Sequence, residues 1–430
     1  MKFLPNFDYH INMKQFSTEI QTFIHKEFPE LEGQDLETWS AQDLKVLKDR
    51  VVEKRQEYGL LENAMKVANN ASYGASGNEH FYWYRPELAA SITGEARRAE
   101  MCQYINCSIF MKETIWNRHD LWKMFNFELD PAKKSWMQNQ VIPVQCDTDS
   151  VYMTWAPLFK CMTPESKKRY ATDQAKLDFI LDFYKRFLND EQNRWVGDDT
   201  NKRHGDSVQE FELELVCKSL IGLAKKKYVK GVVFEKGHFM VDNPKLKSTG
   251  VEIVKSTTPA LCRKFMKEIV NDLLYKYDDE KKEEFIYYLN NRLREMYNEF
   301  RNAPVDDISN SVGLGDYKKY VISDTDTLVF DKRTPFSVKA AGRYNHLAYK
   351  NGRADLKLMS GKIKYYNIKV GREDDYFGFP AGECPDFAPP IDYTTQWKKN
   401  IIDPINRFLT AMQIPNIGPT NIIQTGLFGW

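Results

Sequence analysis

"QCDTDSVYM", residues Gln145 to Met153, sets Asp147 and Asp149 two positions apart in an otherwise apolar, β-branched run. As a strand, or as the two arms of a tight hairpin, the stretch turns both carboxylates to one side, where their charges repel. A hard divalent cation relieves that repulsion, because magnesium is held by one or two carboxylates together with substrate phosphates and water. A calcium loop fits poorly: its fifth, sixth and twelfth places would be Val151, Tyr152 and Leu158. A solvated Asp-Thr-Asp-Ser turn closing a hairpin is the alternative that needs no metal.

Around this stretch lie 430 residues, enough for two to four domains and a sizeable core. Lys+Arg 61 against Asp+Glu 60 leaves a net charge of +1, so any nucleic-acid surface must arise from local segregation of charge. The seven cysteines are scattered, odd in number and form no C-x-x-C, which argues for a reducing compartment and against structural zinc. No long uncharged apolar run could span a bilayer, and the N-terminus has a proline and charges where a signal peptide needs an apolar core. A cytoplasmic protein is expected, in the host cytoplasm if a virus encodes it.

Periodicity predicts a mixed α+β chain. Residues 14–66 and 79–145 read as largely helical, 143–155 as strand and 166–190 as helix. "EFELELV" (210–216) alternates acid and apolar like a strand, and "KKKYVKGVVFEKGHFMV" reads as a hairpin turning near Gly231 or Gly237. In "KSTTPALCRKFMKEIVNDLLYK", Thr258 is the expected N-cap, Pro259 the first helical residue, and Leu261, Phe265, Ile269 and Leu273 one apolar face.

Two further segments bear on chemistry. "KVANNASYGASG" (66–77) ends a helix on a glycine-rich turn and carries Lys66 and Asn70 on one face, with Tyr73 and Gly74 one turn onward. Such a face suits a triphosphate and something flat above the glycine; a surface lysine and a C-cap glycine are the plainer reading. "AKKKYVKG" (224–231), read as a strand, sets Lys225 and Lys227 on one side and Lys226 and Tyr228 on the other. That suits a phosphate backbone, although lysines also guard edge strands against aggregation.

In this order the segments resemble family B DNA polymerases, and among them the replicative enzymes of T-even-type tailed phages. The family's K-x-x-x-N-S-x-Y-G appears as Lys66, Asn70, Ala71, Tyr73 and Gly74, with alanine for serine; D-T-D-S as Asp147 to Ser150, after Cys146 where glycine is usual; K-K-x-Y as Lys225 to Tyr228. "GNEHFYWY" and "PKLKSTGVEIVKSTTP" (244–259) are similar to passages of the phage enzymes. The resemblance implies a right-hand polymerase's C-terminal portion: fingers to 78, palm over 79–248 with an antiparallel sheet, and a mostly helical thumb over 249–430. It implies two-metal nucleotidyl transfer of dNTPs to a primer 3′-hydroxyl with Mg2+, Mn2+ being a possible substitute. Asp147, Asp149 and Glu214 are the implied metal ligands, with Glu212 beside them; Lys66, Asn70, Tyr73 and Gly74 the dNTP face, Lys66 also serving the leaving group; Lys225, Lys226, Lys227, Tyr228 and Lys247 the contacts to primer-template DNA. Gln424, Leu427, Phe428 and Trp430 resemble a sliding-clamp-binding tail.

Two features of the family are missing from this sequence: the upstream D-x-x-S-L-Y-P-S motif with its bridging aspartate, and the exonuclease. Arg50 and Lys54 have the spacing of the family's triphosphate clamp but fall on the later fingers helix. The expectation is therefore a split enzyme, this chain being the C-terminal subunit and an N-terminal chain supplying exonuclease and aspartate. A non-catalytic DNA-binding or scaffold subunit derived from a polymerase is the alternative.

Overall fold

The computed structural model describes residues 24–34, 36–147, 149–205, 209–277, 281–369 and 375–418. The chain is α+β, and its sheets are small and antiparallel, of two to four strands. It divides into two compact units, one of residues 1–216 and 233–243, the other of 217–232 and 244–430. The D-T-D-S motif falls in the first and the K-K-x-Y motif in the second. The chain enters the second unit for good at Pro244.

In the first unit, helix α1 (Ala41–Ser76) begins on a capping arrangement. The Ser40 hydroxyl accepts the Asp43 N–H at 3.2 Å and donates to the Asp43 carboxylate at 2.6 Å. At 36 residues it runs about 54 Å. Leu47 and Val51 are buried near its start, with Ile24, Phe28, Leu31 and Leu36, and Ala75 and Ser76 at its end. A tight passage leads to α2 (Pro86–Ile109), then to strands β1 (Pro143–Asp147) and β2 (Ser150–Met153). Helices α3 (Asp173–Phe183) and α4 (Asn189–His204) complete the unit. Its core is strongly aromatic: Phe110, Phe125, Phe127, Phe179 and Phe183 pack edge-on and tilted.

The second unit opens within a hairpin of β3 (Leu215–Ala224) and β4 (Lys227–Glu235), joined at Lys225–Lys226; the outer ends of both strands, and residues 236–243 after them, fall in the first unit. Thus "AKKKYVKG" is not one strand: Lys226 takes a left-handed φ of 58° and the chain reverses there. Three consecutive lysines carry no alternation of polarity, so the pattern could not distinguish a two-residue loop from a continuous strand. At the other end of β4, Lys236 (φ 47°) and Gly237 (φ 86°) form a two-residue loop to β5 (His238–Phe239), both residues left-handed as a type I′ hairpin requires. The turn foreseen at Gly237 is there. Gly231 instead lies inside β4, where a methyl would fall 2.6 Å from Cε1 and 2.7 Å from Cζ of Tyr275.

Strand β6 (Lys245–Thr249) pairs with β4, and α5 (Ala260–Tyr275) packs antiparallel with α6 (Lys282–Asn302). Pro259, extended at ψ 144°, is the N-cap of α5, one residue later than the expected Thr258. Phe265, Ile269 and Leu273 form the buried face with Leu261 partly covered, as the spacing predicts. Beyond lie β7 (Asn310–Leu314), the hairpin β8 (Val321–Asp324) and β9 (Leu328–Phe330), α7 (Phe336–Lys350), β10 (Gly361–Asn367), β11 (Tyr376–Pro380) and α8 (Asp403–Ala411). The sheet β11-β10-β7 lies against α7 so closely that a methyl on Gly378 would come 3.2 Å from the Ala340 Cβ. Trp397, fully buried, sits among Phe265, Tyr297 and Phe300.

Candidate active site

The Asp-Thr-Asp stretch is a tight hairpin. Asp147 ends β1 and pairs with Ser150, Cys146 pairs with Val151, and Gln145 with Tyr152. Asp149 stands in the loop, exposed, its N–H donating to the Asp147 carbonyl at 2.7 Å. The Ser150 hydroxyl donates to the same carbonyl at 3.1 Å. The loop is thus closed through the main chain, and both aspartates sit at the tip of a two-stranded sheet.

Helix α2 braces this tip. It packs against β1, β2 and the end of α1, where the Arg85 N–H donates to the Ser76 carbonyl at 2.7 Å. Glu100 of α2 hydrogen-bonds the Cys146 side chain, and burial, then this carboxylate, push the Cys146 thiol up to about 11. On its far side α2 is fixed to α4: Arg98 meets Asp199 at 3.0 Å, Arg203 meets Glu95 at 2.6 Å, and Gln103 donates to the Gln192 carbonyl at 2.9 Å.

Lys66, Asn70 and Tyr73 share one exposed face of α1, at i, i+4 and i+7. Gly74 follows with open space where a Cβ would stand. Arg50 and Lys54, the alternative clamp pair, are occupied locally. Arg50 pairs with Glu30 and lies 4.5 Å over the Phe28 ring; Lys54 meets Glu57 at 2.9 Å.

The acidic stretch 210–214 is not a strand; β3 begins only at Leu215. Its backbone is taken by side chains instead. The Phe211 N–H donates to Asn193 Oδ1 at 2.7 Å, and its carbonyl accepts from Gln192 Nε2 at 2.8 Å and Asn193 Nδ2 at 3.1 Å. Glu212 and Glu214 are exposed between the partly covered Phe211 and Leu213. The alternation reports which side faces the protein, and it does not report a neighbouring strand. Among the described residues no three His, Cys, Asp or Glu side chains gather as a metal site.

In the second unit, Lys225, Lys226 and Lys227 are exposed at the β3–β4 turn, while Tyr228 is buried. The register of β4 with β6 sets Tyr228 opposite Thr249, Lys230 opposite Lys247, and Val232 opposite Lys245, on one face of the ladder. The other face, Val229, Gly231 and Leu246, belongs to the core with α5. Lys230 is only 7% exposed, with its ammonium 5.6 Å from the Tyr228 ring centroid. Like charges directly opposite destabilise a strand pair, and nearby negative charge offsets that. Sequence reasoning missed Lys230 and Lys245; the signal was the shared period of "YVKGV" and "KLK". Gln424, Leu427, Phe428 and Trp430 lie outside the described residues.

No protein-family model matches the chain, and no curated protein matches it. No helix among the described residues is long and apolar enough to cross a membrane.

Proposed function

We propose that this chain is the C-terminal subunit of a split family B DNA polymerase, with fingers, palm and thumb portions, that extends a primer on a template. One observation carries the reading: a single helix, α2, packs against both the hairpin bearing Asp147 and Asp149 and, at Ser76, the end of the helix α1 that carries Lys66, Asn70, Tyr73 and Gly74 further back. In that role the two aspartates would hold Mg2+ together with an aspartate of an N-terminal partner chain, which also brings the exonuclease. The bound metal supplies charge neutralisation and activation of the primer hydroxyl. Lys66 meets the triphosphate as a point charge, Asn70 donates beside it, and Tyr73 with Gly74 offers a flat floor for the base pair. The lysines of the β3–β4 turn, with Lys245 and Lys247, follow the DNA backbone, their charge neutralising phosphates. The C-terminal tail reaches a sliding clamp.

The test is primer extension with Mg2+ by the chain, alone and mixed with a polymerase chain that carries the D-x-x-S-L-Y-P-S motif and the exonuclease. Activity should need both chains and vanish with Asp149→Asn. Robust synthesis by this chain alone overturns the split. Synthesis surviving Asp149→Asn favours a DNA-binding scaffold.

A further inference from the structure

Fifteen large apolar side chains between Leu60 and Ile109 are each more than a third exposed. At ~60–120 Å2 per aliphatic and ~150–250 Å2 per aromatic side chain, all but Tyr73, which lies on the nucleotide-facing side of α1, leave roughly 700–1,300 Å2 of apolar surface uncovered, spread over α1, α2 and the passage between them. A stable interface takes about 800 Å2 from each partner.

The surface is patterned for helices. On α1, Leu60, Ala64, Ala68 and Ala71 recur at i, i+4, i+8 and i+11, flanked by Leu61 and Met65, and all six are exposed. This stripe lies on the side of α1 away from Lys66 and Asn70, and its alanines admit another helix at close range. Helix α2 is apolar on two sides. Ala99, Gln103 and Cys107 are buried on one; Met101, Tyr104, Ile105 and Ile109 stand exposed on the other. Between the helices, Tyr82 is 100% and Trp83 68% exposed.

We infer that the outer faces of α1 and α2 are an assembly surface that takes helices of a second, different polypeptide. The occupant's identity rests on the split-polymerase reading; the surface does not. One two-fold axis would have to bury two stripes and the aromatic tip against themselves, which disfavours a second copy. The face of α1 opposite the stripe carries Arg55, Glu62 and Lys66, both signs of charge, where a lipid-binding helix carries mainly cations.

The experiment measures the Kd between this chain and a polymerase chain that carries the D-x-x-S-L-Y-P-S motif and the exonuclease, by titration calorimetry, in parallel with primer extension. Ala68→Glu and Ile105→Lys, both at exposed positions, should each weaken the complex tenfold or more. Ile322→Glu, exposed in the second unit, should leave it unchanged. Binding by both variants at wild-type strength in an active mixture overturns this inference and spares the polymerase reading. A complex sensitive to both substitutions yet inert in extension does the reverse. Three other results overturn it: light scattering showing that the lone chain is a dimer which these substitutions dissociate; removal of residues 1–23 unmasking Met65 and Ile105 to surface labelling in the lone chain; and sedimentation with anionic vesicles that the substitutions abolish.

Discussion

Gly250 should be irreplaceable, and the reason separates into two measurable parts. Its φ of 64° is left-handed, and a Cβ there would overlap the Lys226 carbonyl oxygen and lie 3.3 Å from the Lys226 carbonyl carbon and from Lys227 Cγ. The conformational part costs about 1–2 kcal/mol for an alanine. The overlap is with main chain that no rotamer change can relieve, so it adds about 1–3 kcal/mol. Gly250→Ala should therefore destabilise the second unit by about 2–5 kcal/mol. Gly352 supplies the control: φ is 69°, with nothing within 4 Å of an added Cβ, so Gly352→Ala should cost only the first ~1–2 kcal/mol. Gly250→Asn tolerates the dihedral but keeps the overlap, and should fall between. Urea unfolding followed by circular dichroism, with the fluorescence of the buried Trp397 as a marker of this unit, gives each value. Equal losses for Gly250→Ala and Gly352→Ala would refute the argument that the turn at Lys226 is held by backbone contact.

Gly231→Ala should cost about 1–3 kcal/mol through the Tyr275 ring, and the loss should shrink when Tyr275→Ala is combined with it; additive urea midpoints would contradict the contact. Glu252 lies partly buried between Arg407 at 2.6 Å and Lys255 at 3.5 Å. Burial raises its pKa, but its own N–H and the two cations outweigh that, and the carboxyl falls below the usual 4.5. A depressed folded pKa gives stability that is present above 4.5 and lost as pH falls through the lowered value. Glu252→Gln should thus destabilise at pH 7, by roughly 0.5–1 kcal/mol, and the gap should close in acid; a pH-independent gap in thermal melts would exclude the linkage. Cys146 should alkylate slowly at neutral pH and faster in Glu100→Gln, as read by mass spectrometry of iodoacetamide-treated protein. Deleting residues 424–430 should spare extension of short primers while shortening products made with a clamp; equal losses on product gels would count against the tail's proposed role.

Local rules read the local structure well. The Asp147–Asp149 hairpin, the helix under Lys66 and Asn70, the α5 face and the turn at Gly237 follow from spacing, because each depends on neighbours within a few residues. Other features depend on what the chain meets. The 210–214 alternation looked like a strand, yet Gln192 and Asn193, remote in register, take the main-chain groups of Phe211. The lysine run hid its turn because lysine is equally at home in either place. The Lys230–Lys247 pairing required a register between two strands that neither strand specifies alone.

The exposed middle of α1 has a thermodynamic consequence. Between Val51 and Ala75 no side chain of the helix is buried, and Tyr58 and Glu62 make polar contacts to Glu27 and Lys236, so this stretch holds its shape chiefly by intrinsic propensity. Gly59, Asn69, Asn70 and Gly74 are weak helix formers, worth about 0.5–1 kcal/mol each against alanine. Amide protons around Asn69 and Asn70 should exchange with solvent sooner than those near Leu47, and the residues proposed to meet a nucleotide are then also the ones most ready to unwind.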